Sequence, residues 1–185
     1  MTPWEPEPLF EGRVVAIVAG GPSATDAIIE SIRSSGIASI AINNNYRRMP
    51  WADWLFAADM GWWLAHSDAR EFMGLRVCSQ ETAEERGLHI FLPRDKGEGR
   101  NSALHAAYAA IQAKAREIRL YGVDLRDDEL THWHGEHMPA LRQIRSDDFP
   151  RARSAWCRLA ARVDRPPIFN CSARSALTCF PFCDG

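Results

Sequence analysis

A glycine-rich turn is the first place in the chain where residue types and spacing favour ligand chemistry: Gly20, Gly21, Pro22 and Ser23. An apolar run over 13–19 predicts a buried β-strand before it, and apolar spacing predicts a helix over 24–34 after it, with the proline in its first turn. Because a helix N-terminus presents unpaired N–H groups and partial positive charge, the turn is a candidate phosphate site. The alternative is a tight strand-to-helix turn in which the serine is only a cap. The turn matches neither a P-loop nor the Gly-x-Gly-x-x-Gly fingerprint.

Three side-chain amides directly follow a second predicted strand over 38–42: Asn43, Asn44 and Asn45. An amide both donates and accepts hydrogen bonds, which suits ribose or sugar hydroxyls and the edges of bases. The alternative is an asparagine-rich turn that tolerates left-handed backbone. Three in succession at a strand end favour a binding site.

A second candidate anion site precedes the clearest predicted helix, over 101–115. Its sequence, GEGRNS at 97–102, combines glycines with a cation and two small polar residues. Asn101 and Ser102 either contact the ligand or cap the helix.

Half of the six histidines lie in the string HWHGEH at 132–137. Its spacing does not match the zinc-binding His-Glu-x-x-His motif, so no metal site is predicted. A histidine that acts as general acid or base fits better, because its ordinary pKa lies near working pH. His132 and His137 are the candidates, and a surface loop with unrelated histidines is the alternative.

Strands alternate with helices along the chain, which predicts an α/β fold with a mostly parallel central sheet covered on both faces. No repeat or boundary divides residues 1–185, so one domain is expected, with an extended arm at 1–12 and a lid-like loop at 123–145. Ligands of such sheets bind outside the carboxyl ends of the strands. Two carboxylates join the candidate site by that rule, since each follows a predicted strand: Asp59 and Asp124.

Composition narrows the functional classes. The 185 residues carry a net charge of -2, which argues against a strongly basic nucleic-acid binder and an extended nucleic-acid surface. No run approaches the ~18 apolar residues of a membrane span, and acid and proline replace the signal-peptide pattern near the start, so a cytoplasmic protein is expected.

Cysteine and tryptophan usage gives two further expectations. Five cysteines without a regular framework predict reduced thiols. Four of the seven tryptophans crowd into one short stretch: Trp51, Trp54, Trp62 and Trp63. At least two are expected in the core, and one or two beside the predicted cleft.

The order of six motifs resembles a known group of proteins: AIVAGGPS, AINNNYR, ADWLFAADMGWW, NSALHAAYAAIQAKAREIRLYGVDL, HWHGEH and IFNCSARSALTCFP. The sequence resembles phage and prophage proteins related to the DUF115 (MptE-like) and bacterial sialyltransferase-like group. The resemblance implies a Rossmann-like three-layer fold that binds a nucleotide.

In the sialyltransferase-like relatives, the Gly-Pro-Ser turn contacts the phosphate of a CMP-sugar. By position, this role falls on Gly21, Pro22 and Ser23. An asparagine after the second strand, here Asn43 or Asn44, contacts donor or acceptor, and a histidine of 132–137 is the general base. The MptE-like relatives instead transfer diphosphate from ATP to a pterin alcohol with Mg²⁺, for which Asp59 and Asp124 are the expected carboxylates.

Three functions remain open at this point. The first is a transferase that uses a nucleotide-sugar donor, most simply a CMP-sugar, without a firm cofactor. The second is a Mg²⁺-dependent diphosphokinase-like transfer. The third is a phage-encoded binding protein that keeps the nucleotide fold without chemistry. The acceptor stays unidentified, and a homo-oligomer is compatible with the sequence.

Overall fold

The computed structural model describes residues 4–80, 87–92, 101–126 and 147–183. Within these ranges seven strands form one sheet: β1 (Val14–Val18), β2 (Ala38–Ile42), β3 (Trp54–Phe56), β4 (Leu75–Cys78), β5 (His89–Ile90), β6 (Glu117–Tyr121) and β7 (Ile168–Asn170). The α-helices of the same ranges are α1 (Asp26–Ser35), α2 (Met60–Ala65), α3 (Ser102–Gln112) and α4 (Asp148–Ala160). Two 3₁₀ helices lie at Asn43–Arg47 and Ser67–Glu71.

All strand pairs of the sheet are parallel, and the strand order is β5-β4-β3-β2-β1-β6-β7. The chain therefore builds outward from β1 in one direction and then returns to β1's other side with β6. In register, Val18 lies opposite Ala41 of β2 and Tyr121 of β6. The reversal between β1 and β6 is the topological switch point, where open α/β sheets form a ligand crevice.

The sheet is buried on both faces, which gives three layers. Alternate residues of β1 face opposite sides: Val15 and Ile17 pack in a cluster with α3 and α4, while Ala16 and Val18 pack with α1 and α2. The expected three-layer α/β fold with a parallel sheet is confirmed. Burial of both faces explains why β1 is apolar throughout rather than alternating.

The N-terminal stretch packs against the rest of the domain from residue 4 onward. Phe10 is 1% exposed and packs against Trp54, with ring centroids 4.4 Å apart. The Trp4 N–H donates to the Ile90 carbonyl, 2.8 Å away, and its indole contacts the same Trp54 ring. Burial of these rings fastens residues 4–10 along β5 and the core.

Several elements differ from the sequence-based expectation. Helix α1 begins at Asp26 with Thr25 as its N-cap, so Pro22 and Ser23 lie in the preceding turn rather than in the helix or at its cap. The helix expected over 101–115 is shorter, since α3 ends at Gln112. The chain after β3 forms α2 and a 3₁₀ helix, and His66 between them leaves helical backbone.

A disulfide bond joins Cys171 to Cys183, with their Cα atoms 5.0 Å apart, so the expectation of five reduced thiols is wrong in this structure. Backbone hydrogen bonds bring the two segments together: Asn170 donates to Pro181, and Cys183 donates back to Asn170. Spacing along the sequence does not reveal that pairing. Within the described ranges, no helix is long and apolar enough to cross a membrane.

Candidate functional site

The turn after β1 and the segment after β6 are joined by a pair of hydrogen bonds at the switch point. The Ser23 N–H donates to Asp124 Oδ2 at 2.9 Å, and the Ser23 hydroxyl donates to the other carboxylate oxygen. The Gly21 N–H donates to the Gly122 carbonyl, also at 2.9 Å. Asp124 is 6% exposed, and the two Ser23 donors take the place of water around its carboxylate group.

Glycine at position 21 is needed because Asp124 fills the space beside it. A Cβ atom there would lie 2.5 Å from Asp124 Oδ2 and 2.5 Å from the Gly122 carbonyl oxygen. Gly122 has φ +67°, and a Cβ on it would collide with the Ala19 carbonyl. The two glycines thus permit close approach between the two loops.

These contacts bear directly on the candidate phosphate site. Both donors of Ser23 are engaged by a carboxylate of the chain itself. Helix α1 also begins with its own acid, Asp26, and its cap Thr25 accepts from the Ile28 N–H. A phosphate at this turn therefore has to use donors other than those of Ser23, or replace Asp124.

The segment after β7 supports the same corner. The Ser172 hydroxyl accepts from the Gly122 N–H, and the Ser175 hydroxyl donates to the Val123 carbonyl. The Ala176 N–H donates to the Asp124 carbonyl at 2.8 Å. The disulfide between Cys171 and Cys183 closes this supporting segment. The sequence analysis did not predict that the segment after β7 supports this corner, because its only signal was the pair of serines that follows a strand.

The three asparagines after β2 have three different environments. Asn45 is fully buried, and its amide nitrogen donates to the Val18 carbonyl at the end of β1, so its role is structural. Asn44 accepts a hydrogen bond from the Trp62 indole N–H at 2.9 Å. Asn43 has φ +50°, and its buried Oδ1 accepts no hydrogen bond from the described residues. An unpaired buried acceptor is unusual in a native protein.

The 3₁₀ helix that carries these asparagines is fixed at its far end. The Tyr46 hydroxyl donates to Asp68 at 2.5 Å, and the Arg47 Nε donates to the Tyr46 oxygen at 2.9 Å. Burial raises the pKa of Tyr46 to about 12, and the bond to Asp68 acts in the same direction. That same hydrogen bond lowers the pKa of Asp68, so a neutral phenol faces a charged carboxylate.

The carboxyl ends of β3 and β4 meet the start of α3. The Ser102 hydroxyl accepts from the Ala58 N–H at 3.0 Å, and Asn101 caps α3 by accepting from the Leu104 N–H. The Asp59 carboxylate is within 3.5 Å of the Gln80 amide nitrogen. The structure thus places Asn101, Ser102 and Asp59 at one corner of the sheet.

A buried histidine at this corner was missed by the sequence analysis. His105 is 5% exposed, and its Nδ1 lies 2.9 Å from the Ser79 hydroxyl, which follows β4. The signal was a histidine within an otherwise apolar helix, which is equally typical of a core position.

The two candidate magnesium ligands are far apart. Asp59 follows β3 and Asp124 follows β6, with β2 and β1 between them. Three strand spacings amount to about 14 Å, and Asp124 faces Ser23. Among the residues that the structure places, no group of three or more His, Cys, Asp or Glu side chains is arranged to hold a metal ion.

Some candidates lie outside the described residues: His132, His137 and the stretch Gly97–Arg100. Of the expected lid-like loop at 123–145, only 123–126 is described, where Val123 and Asp124 are buried against the segment after β7. The expectation of at least two core tryptophans is confirmed, since Trp54, Trp62 and Trp63 are at most 5% exposed. Trp51 is partly exposed, and a tryptophan beside the cleft stays a prediction.

Comparison with known proteins gives a structural likeness without a match in sequence. No family model matches the chain, and no curated protein matches its sequence. Among solved structures, the chain is similar to the sialyltransferase CstII from Campylobacter jejuni, solved in complex with a substrate analogue, cytidine-5′-monophosphate. The sequence identity is 14%, the TM-score is 0.62, and the match covers 95% of this chain and 86% of that one.

At this identity the likeness shows a shared fold. The expectation of a sialyltransferase-like, Rossmann-like α/β fold is therefore confirmed. The comparisons give no support to the DUF115 relationship or to a phage origin.

The contact between Gly21 and Asp124 gives a stability prediction. Gly21→Ala places a methyl group where Asp124 Oδ2 lies, so we expect the free energy of unfolding to fall by about 1–3 kcal/mol in urea denaturation. In the Asp124→Ala background part of the space is empty, so the same substitution is expected to cost less. An equal cost in both backgrounds would show that the carboxylate does not fill this space.

Proposed function

We propose that the protein is a transferase that uses a nucleotide-sugar donor of the CMP-sugar type, bound at the carboxyl ends of β1, β2 and β6. The unpaired asparagine atoms after β2 carry the proposal. Asn43 has a buried acceptor without a partner, and the Asn44 amide nitrogen donates no hydrogen bond within the described chain. A nucleotide supplies both complements, since ribose hydroxyls donate and phosphate oxygens accept. Because the Asn43 oxygen is buried, its side chain has to turn toward the cleft to accept from a ligand hydroxyl.

The fold likeness supports the same class of ligand. CstII is a sialyltransferase whose structure was solved with cytidine-5′-monophosphate, and its fold covers nearly the whole chain. A fold alone does not determine function, so the weight of the proposal rests on the asparagine pair beside the switch point.

Each candidate residue takes a role in this proposal. The turn of Gly20, Gly21, Pro22 and Ser23 borders the donor's phosphate, with Asp124 shaping the turn through its bonds to Ser23. Asn43 and Asn44 contact the nucleotide, while Asn101, Ser102 and Asp59 border the other end of the cleft. His132 or His137 takes the proton from the acceptor hydroxyl as its oxygen bonds to the anomeric carbon of the sugar, while the bond from that carbon to the phosphate oxygen breaks and CMP leaves.

The diphosphokinase alternative receives less support from the described residues. It requires Mg²⁺ on oxygen ligands, and Asp59 and Asp124 follow strands about 14 Å apart. We therefore favour the nucleotide-sugar reaction, and the non-catalytic binding protein becomes an outcome of the first experiment.

A thermal-shift panel tests the proposal with CMP, CMP-sugars, UDP, GDP and ATP, each with and without Mg²⁺. We expect CMP and CMP-sugars to raise the melting temperature without a Mg²⁺ requirement, because ligands that bind the native state stabilise it. A Mg²⁺-dependent shift with ATP would favour the diphosphokinase, and no shift with any nucleotide would overturn both enzymes. CMP binding without any hydrolysis or transfer of CMP-sugars would identify a binding protein.

The asparagine environments predict opposite effects for neighbouring substitutions. Asn43→Gly suits the positive φ and removes an unpaired acceptor, so stability stays near wild type while CMP binding weakens about tenfold. Asn45→Ala loses the bond to Val18 and costs about 1–3 kcal/mol of unfolding free energy. Calorimetric titration and urea denaturation measure both, and unchanged CMP affinity in Asn43→Gly would argue against this site.

The histidine role predicts a separation of turnover from binding. His132→Ala or His137→Ala lowers the rate of CMP-sugar hydrolysis by about 10²–10⁴-fold, the usual contribution of a general base, with CMP affinity retained. Full activity in both variants would show that neither histidine is the base.

A further inference from the structure

The Trp62 indole donates a hydrogen bond to Asn44, a residue of the proposed nucleotide site. This hydrogen bond determines which side-chain atom of Asn44 faces a ligand. The Trp62 Nε1 lies 2.9 Å from the Asn44 side-chain oxygen. An indole N–H only donates, so the amide atom that faces it has to be the oxygen. The amide nitrogen then occupies the other end of the group, where it donates to no described residue.

The Trp62 ring is itself held from several sides. The His66 imidazole stacks on it at 4.4 Å between centroids and 15° between planes, and Tyr46 meets it edge-on at 5.7 Å. The His66 Nδ1 also bonds to the Trp62 carbonyl at 2.9 Å, where it must be the donor. Trp62 is 4% exposed, so its N–H has a fixed direction and few alternative partners.

We propose that Trp62 is a positioning residue that holds the Asn44 amide with its nitrogen toward the ligand, so that Asn44 recognises an anionic oxygen of the nucleotide phosphate. This inference rests on the proposed function. Without the indole N–H, the Asn44 amide can rotate by 180° and turn its oxygen toward the phosphate. The amide oxygen and the phosphate oxygens are both acceptors, so they repel each other. Trp62 acts through Asn44 and does not itself touch the ligand.

The neighbouring tryptophan supplies a matched control. Trp63 is 5% exposed, and its indole N–H donates to the Ala57 carbonyl at 3.0 Å. Trp63→Phe therefore loses a buried indole and one hydrogen bond, as Trp62→Phe does, but leaves the bond between Trp62 and Asn44 intact. A general loss of packing affects both variants alike, whereas a loss of amide orientation affects only Trp62→Phe.

The test compares CMP with cytidine, which lacks the phosphate, by calorimetric titration. Trp62→Phe is expected to weaken CMP about threefold to tenfold, the effect of one orienting hydrogen bond, and to leave cytidine unchanged. Trp63→Phe keeps the wild-type ratio of the two affinities. In the Asn44→Ala background, Trp62→Phe is expected to have no further effect on that ratio.

A second variant keeps the inference testable if Trp62→Phe does not fold. Asn44→Asp still accepts from the Trp62 N–H, but it turns a carboxylate oxygen to the ligand, so CMP affinity falls more than about tenfold while cytidine binding persists. Wild-type protein that does not bind CMP would overturn the proposed function. Wild-type protein that binds CMP, with the same CMP-to-cytidine ratio in Trp62→Phe or in Asn44→Asp, would overturn this inference alone.

Discussion

The hydrogen bonds between Ser23 and Asp124 tie together the two loops that leave the central strands β1 and β6. The glycines of both loops and the segment after β7 are arranged around that junction. Glycine is required at positions 21 and 122 because the loops approach so closely, and the disulfide-closed segment after β7 supports Asp124 from behind. The Ser23 donors take the place of water around the buried Asp124 carboxylate, so this corner is already organised before a ligand binds.

Beside this junction, the described residues that follow β2 include side-chain amide atoms without a hydrogen-bond partner. Asn45 anchors the 3₁₀ helix to β1, while Asn43 and Asn44 offer an acceptor and a donor that the described chain does not pair. Their positions beside the switch point and the orientation of Asn44 by Trp62 together favour a ligand with hydroxyls and an anionic group. The structural likeness to a sialyltransferase shows a shared fold.

The alternation of apolar strands and helices was enough to predict the fold. Strands of a parallel sheet that is covered on both faces are buried on both sides, so they are visible in the sequence as continuous apolar runs. The strand at 38–42 has the predicted bounds. Local pattern could not show that Asp124 would engage Ser23, because those residues are 101 positions apart. Likewise, three adjacent asparagines look alike in sequence. Only the hydrogen bonds in the structure show that Asn45 anchors the 3₁₀ helix to Val18 and that Asn44, held by Trp62, is a candidate ligand contact.

The side-chain amide resonances of the asparagines report directly on a nucleotide site at the end of β2. In a ¹⁵N-labelled protein assigned with single-residue variants, CMP titration is expected to shift the NH₂ signals of Asn43 and Asn44, which have no partner for their nitrogens among the described residues. The Asn45 signal, bonded to the Val18 carbonyl, is expected to move little. Saturable CMP binding that leaves the Asn43 and Asn44 signals in place would contradict a nucleotide site at the end of β2.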